Sequence, residues 1–199
     1  MIPVRLATPR LLLDQPRDGD LPDIVASCRD PLFERFMTLP WPYAPEDARF
    51  FVDTLVPRGW ETGEEATWAL RRADDPRPLL GVVGLRRENH DIGYWLGGPH
   101  RGRGYMTEAV VRVISWALDA HFFGTPEVRW SCVSGNVASA SVARKAGFRF
   151  LGSGPSPVPM RDGSRPAAWL GVHVPDDPAA ESSWPAETRS GPPRAGGSG

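Results

Sequence analysis

Long apolar runs are missing from this chain. No stretch approaches the roughly 20 consecutive apolar residues of a membrane helix, and Met1–Arg10 carries no run of signal-peptide length. The expectation is a cytoplasmic protein with no membrane partner. Cysteine is scarce: Cys28 and Cys132 stand far apart with no CxxC pair, which argues against a disulfide framework or a thiolate zinc site. His90, His100, His121 and His173 show no metal-ligand spacing, so no metal is expected. A basic excess is absent too. Lys and Arg number 23 against 24 Asp and Glu, a net charge of -1, whereas nucleic-acid binding needs a broad basic face. A local basic patch for one phosphorylated cofactor is still compatible with that balance.

What is present reads as one folded domain over residues 1–174. The last 25 residues, Pro175–Gly199, hold five Pro, four Gly and four Ser without apolar periodicity, the composition of a disordered tail. Before it, strand-like and helix-like segments alternate. Strands are predicted at Arg10–Gln15, Thr67–Arg71, Leu79–Leu85, Asp91–Gly97, Val128–Val133, Phe148–Leu151 and Ala168–Val174. Helices are predicted at Asp20–Cys28, from Pro45 onward, at Met106–His121 and at Ser139–Ala146. The class is α+β, with one strand–loop–helix–strand unit in the middle.

Two motifs flank that unit. The first, HRGRGYMTEA at His100–Ala109, joins a strand to a helix. Gly102 and Gly104 permit a tight turn, and the amides from Gly102 to Met106 then face outward at a helix start. With Arg101 and Arg103 beside them they form a site for a pyrophosphate; a glycine-rich turn with solvated arginines is the plainer alternative. Thr107 either donates its hydroxyl or caps the helix. A Walker loop needs Gly-Lys-Ser/Thr, which is absent, and a dinucleotide fingerprint needs a glycine where Thr107 stands. The second motif, NVASASVARKAGF at Asn136–Phe148, follows a strand. Asn136 carries a donor and an acceptor for an extended ligand, and equally suits a helix cap, as does Ser139.

Together the motifs IGYWLGGPHRGRGYMTEA (Ile92–Ala109) and NVASASVARKAGF resemble the GNAT N-acetyltransferases, in particular the RimJ/RimL-like branch; PWPYAPEDARFFV (Pro40–Val52) is similar to that branch as well. The resemblance covers roughly Val4 to Val174. It implies a mixed, mostly antiparallel twisted sheet flanked by helices, with a central β-α-β unit splayed to hold acetyl-CoA. The family's Arg/Gln-x-x-Gly-x-Gly/Ala pattern falls on Arg101, Gly104 and Met106, so a larger residue stands at the last position and its side chain must turn into the core. Backbone groups of Trp95, Leu96 and Gly97 are implied to pair with the pantetheine arm, Asn136 to reach it from the opposite strand, and Tyr105 to lie with the loop that grips the diphosphate.

The implied reaction is direct attack of an amine on the thioester in a ternary complex. An amide near Leu96 would stabilise the oxyanion, and Ser139 matches the serine that protonates the thiolate in that branch. Asp91 is the first candidate for the base, with Glu88 and His90 behind it; pairing of Asp91 with Arg86 or Arg87 is the structural alternative. The glutamate that some RimL-like members carry after the Gly-Phe strand is missing, since Ser153–Met160 (SGPSPVPM) has no carboxylate. Trp41 and Tyr43 are implied to border the acceptor pocket, while Trp60 and Trp68 read as core. The acceptor is a primary amine of a small molecule or a protein N-terminus, and a homodimer is the assembly common among similar proteins. A catalytically silent acyl-CoA-binding regulatory module is the alternative from another class.

Overall fold

The computed structural model describes residues 1–180 and 184–188. In chain order the elements are β1 (Leu6–Ala7), β2 (Leu11–Asp14), α1 (Leu21–Cys28), α2 (Pro31–Phe36), α3 (Pro45–Phe50), α4 (Val56–Thr62), β3 (Glu65–Arg72), β4 (Gly81–Arg86) and β5 (Asp91–Leu96), then α5 (Tyr105–Asp119), β6 (Val128–Val133), α6 (Val137–Lys145), β7 (Arg149–Pro155) and β8 (Ala167–His173). The strands form one sheet in the order β1-β2-β3-β4-β5-β6-β8-β7. Every neighbouring pair is antiparallel except β5 and β6, which are parallel as the β-α-β connection requires.

Alternation along the central strands feeds two cores. Trp68, Leu70, Val83, Leu85 and Ile92 point to one face, where α5 covers them with Met106, Val110, Val113 and Ile114, spaced at three and four residues. Ala69 and Val82 point to the other face, under Ile24 and Cys28 of α1, Phe33 of α2 and Ala48 of α3. Each fully buried Leu, Ile or Phe contributes about 1.5–3 kcal/mol. Trp60 and Trp68 are core residues, their rings 5.0 Å apart and edge to face. Arg71, on the α1 side of β3, is buried. It forks onto Asp20 through two 2.7 Å bonds and onto Asp14 through a third, tying the start of α1 to the sheet.

Two elements were not predicted, and a third, the helix expected from Pro45, is irregular. α2 is short, opened by Asp30, whose Oδ1 accepts from Leu32 N at 2.9 Å, and by Pro31 in the first turn. β1 has only two residues. α3 runs through a π-turn at Phe51–Leu55 into α4. Pro57 lacks the N–H that would close a regular turn there, and its ring crowds the carbonyl four residues back.

The boundary expected near Val174 is corrected. Trp184 is 3% exposed and belongs to the main core. Its Nε1–H donates to Phe148 O at 2.9 Å. Residues 181–183 and 189–199 of the expected tail lie outside the described residues. Among the described residues no helix is long and apolar enough to cross a membrane.

Candidate active site

β5 runs out at Leu96, a short 3-10 turn spans Gly98–His100, and α5 begins at Tyr105. Gly102 and Gly104 take φ of 76° and 77°, the left-handed region that a side chain resists. Glu108 N–H bonds Gly104 O, the first rung of α5. The amides of Tyr105, Met106 and Thr107 therefore have no acceptor inside the helix and stand at its positive end. Met106 is 4% exposed, its side chain packed into the core beneath the loop. Gly104 is the N-cap, so Thr107 does not cap the helix. Arg103 is exposed and gives its carbonyl to Arg10 Nη1 at 3.0 Å. The backbone conformation and the open space over Gly102, where a Cβ would meet nothing within 4 Å, fit a diphosphate.

Arg101 plays another part than expected. Its Nε donates to Leu96 O at 3.0 Å, its Nη2 pairs with Asp30 at 2.8 Å, and its own amide turns back to Gly98 O at 3.3 Å. The side chain is a strut between the loop and α2, already paired before any phosphate arrives.

The cleft proper lies between β5 and β6. They share a single bridge, Asp91 with Arg129, closed by Arg129 N–H on His90 O at 2.7 Å, and then part. Backbone groups of a strand alternate in direction. From His90 onward the even residues, Tyr94 and Leu96, turn theirs to the gap, whereas Trp95 and Gly97 turn theirs to β4. Gly97 N–H accordingly bonds Leu80 O at 2.9 Å. Of the three residues expected to pair with pantetheine, Leu96 offers the gap its N–H, Trp95 and Gly97 do not, and Tyr94 is an addition.

Across the gap Asn136 caps α6, its Oδ1 accepting from Ser139 N at 3.1 Å, which leaves the Nδ2 group to donate. Ser139 Oγ accepts from Trp130 Nε1 at 3.2 Å and donates to Tyr94 OH at 3.3 Å; Tyr94 OH donates to Ser139 O at 2.9 Å. Burial raises the Tyr94 phenol above its ordinary range. Burial also pushes the Cys132 thiol up to about 12, so it stays protonated and inert.

On the other face the cleft is walled by Phe36–Thr38 at the end of α2, by Ser156, Val158 and Met160 of the segment between β7 and β8, and by Arg86. Asp91 is 3% exposed, with both oxygens held by Arg86 Nε and Nη2. That guanidinium lies over Gly93, about where a Cβ would sit 3.5 Å away, and stands between the cleft and the carboxylate. The geometry speaks against Asp91 as the base and for the alternative pairing with Arg86. Glu88 is exposed, and His90 stacks on Phe123 at 5.4 Å; neither lines the cleft. Tyr43 is 4% exposed in the second core and Trp41 packs against that core; neither lines the cleft, whereas Phe36–Thr38 do.

A second depression, near 650 Å³, opens beside the loop between β1–β2 and α5. Thr107, Arg112 and Lys145 line it with Arg10, which Glu108 holds at Nε (2.6 Å) and which rests over the Tyr105 ring at 5.1 Å. These cations were missed from the sequence. Arg112 shares a helix face with Glu108, four residues back, a legible signal; Arg10 and Lys145 come from distant elements. Among the described residues no group of three or more His, Cys, Asp or Glu could hold a metal ion.

Comparison with known proteins places this geometry in context. The family model "Acetyltransferase (GNAT) domain" matches residues 10–149. A Bacillus subtilis protein named "Probable N-acetyltransferase YjcK" is 34% identical over 98 residues, 46% of this chain and 52% of that protein. The chain thus spans about half the length of that curated relative. Among solved structures, a Vibrio cholerae chain named for ribosomal-protein-serine acetylation superimposes with TM-score 0.74 at 19% identity, covering 88% of this chain and all of that one (100%). The ribosomal L7/L12 α-N-protein acetyltransferase RimL, solved with coenzyme A, gives TM-score 0.69 at 17% identity over 86% of this chain and 98% of its own. At these identities the structures share the fold.

Proposed function

The chain belongs to the GNAT acetyltransferase domain family, and we propose that it transfers an acetyl group from acetyl-CoA to a weakly basic primary amine, such as a protein N-terminus or a small molecule of similar basicity. The observation that carries this is the row of amides ahead of α5 opening onto the gap between β5 and β6. Gly102 to Met106 would hold the diphosphate, Leu96 N–H and Asn136 Nδ2 the pantetheine, and Thr107, Arg112 and Lys145 the phosphorylated adenosine end. Acetyl-CoA supplies an activated thioester carbonyl.

This chain's residues would do the rest. Fixing both reactants in one cleft lowers the barrier by as much as roughly 7–11 kcal/mol. The backbone N–H of Tyr94, farther from the diphosphate loop than that of Leu96, would face the place where the oxyanion forms. The Ser139 hydroxyl gives its proton to the departing sulfur and regains one from solvent, while the amine's proton leaves through water. Among the described residues, no Asp, Glu or His lines this cleft. The acceptor must then arrive neutral near pH 7.5. An α-amine, with pKa about 7.7–8.0, meets that condition far better than a lysine side chain near 10.4.

The absence of a lining carboxylate also supports a silent acyl-CoA-binding module. The two readings separate in a thiol-release assay with acetyl-CoA, using peptides with a free N-terminus, the same peptides N-blocked with one lysine, and polyamines. Release with the free α-amine alone supports the proposal; cofactor binding without release from any amine supports the silent module.

A further inference from the structure

After β8 the chain turns back and lays Trp184 against the rear of the site. The indole is buried, 5.7 Å from the Trp130 ring and 5.4 Å from Phe150. Its Nε1–H is shared by Phe148 O at 2.9 Å and Ala180 O at 3.2 Å, which fixes the ring plane. Ala140 and Ala143 of α6 lie in the same buried cluster, small enough to admit it. Trp130 in turn gives its Nε1–H to Ser139 Oγ at 3.2 Å, and Ser139 shares its own proton with Tyr94 OH at 3.3 Å. A line of contact therefore runs from the C-terminal segment through Trp130 to a hydroxyl that lines the cleft.

We infer that Trp184 is a positioning residue for acetyl transfer: by packing against Trp130 it holds that indole N–H on Ser139 Oγ, and so keeps the hydroxyl at the edge of the gap between β5 and β6, where its proton is shared with Tyr94 OH. An indole has two rotatable bonds, and a ring wedged on both sides loses most of that freedom. With Trp184 gone, Trp130 gains room to rotate, and its N–H leaves the serine. The diphosphate loop and Leu96 lie on other elements and stand apart from this contact. The inference rests on the proposed role of Ser139 and adds to it a part of the chain whose composition suggests no structure.

The test uses the full chain with 15N-labelled indoles, the Trp130 signal assigned by its loss in Trp130→Phe. Trp184→Leu is expected to shift the Trp130 indole N–H resonance and lower kcat for thiol release at least about fivefold, leaving KM for acetyl-CoA within about twofold. Trp184→Phe, which keeps a stacked ring, should recover most of the turnover. In a Ser139→Ala background Trp184→Leu should lower kcat no further. An unmoved Trp130 resonance, or an equal loss of kcat with and without Ser139, overturns the inference. If Trp184→Leu does not fold, Trp184→Phe is judged by the same two criteria, with a smaller shift expected. Should the unaltered chain bind no acetyl-CoA, the functional proposal fails, and the loss or retention of the Trp130 N–H to Ser139 Oγ bond, read as hydrogen-exchange protection of the Trp130 indole N–H in Trp184→Leu, still decides whether Trp184 positions Trp130.

Discussion

Arg86 Nε lies 2.9 Å from Asp91 Oδ1, and the same guanidinium takes Asp91's second oxygen through Nη2. The two residues face each other across β4 and β5 in register. A carboxylate with both oxygens on one arginine and only 3% exposure is out of reach of an amine in the cleft. Its work is to hold Arg86 over Gly93.

Asp91→Asn should therefore cost stability and leave the pH profile of kcat/KM unchanged in shape. Breaking a largely buried pair by removing one charge costs about 3–5 kcal/mol, and the retained amide of Asn should keep the loss near or below the lower end. Urea denaturation and thiol release from pH 6 to 9 check this. A rate that becomes flat across that range would restore Asp91 as the base.

Gly104→Val should abolish cofactor binding with little loss of fold. At φ 77° a β-branched residue costs about 1–2 kcal/mol, and its Cβ would sit 3.4 Å from Arg10 Nη2. Coenzyme A affinity should fall at least about a hundredfold, or about 2.7 kcal/mol, by calorimetric titration. Affinity within threefold of the unaltered chain would remove the loop from the binding site.

If the depression lined by Arg112 and Lys145 takes the phosphorylated adenosine end, as proposed, it should distinguish coenzyme A from its dephospho form. Replacing both with alanine should weaken coenzyme A binding roughly tenfold, about 1.4 kcal/mol, and leave dephospho-coenzyme A nearly unaffected. Competition binding of the two ligands measures the difference. Equal weakening of both would place the cofactor's phosphorylated end elsewhere.

Glu65 predicts a pH dependence of stability. Burial raises its carboxyl above the ordinary 4.5, outweighing the attraction of Arg86 and the bond from Thr67, and Asp91 raises it further. A folded value above the unfolded one means that its stabilising share is whole below pH 4.5 and is lost as pH rises through the folded value. Glu65→Gln stays neutral and escapes that loss. The variant should gain stability over the unaltered chain at pH 7 relative to pH 3.5 in paired denaturation curves; an identical difference at both pH values would contradict the assignment.

Patterns of three and four residues made α5 legible from Met106 to Ala117, and alternation with β-rich composition did the same for β3 to β6. The gap between β5 and β6 came from the family likeness of two motifs. What escaped were relations that no local pattern carries. α2 is too short for periodicity, and its Asp30 claims Arg101 from far along the chain. Trp41 and Tyr43 lie in a segment that looks like an acceptor wall, yet they fold into the second core, because Ile24, Phe33 and Val52 surround a site that buries them. Trp184 sits among Pro, Ser and Ala, and its burial comes from packing against Trp130 and the small residues of α6, which no local pattern announces.

The central claim is that main-chain N–H groups ahead of α5 grip the diphosphate of coenzyme A. The most direct measurement is a backbone amide NMR titration of the whole chain with coenzyme A. The Gly102, Arg103, Gly104, Tyr105 and Met106 amides should shift together and saturate at micromolar ligand. If those five stay unmoved while millimolar coenzyme A is added, the account is wrong.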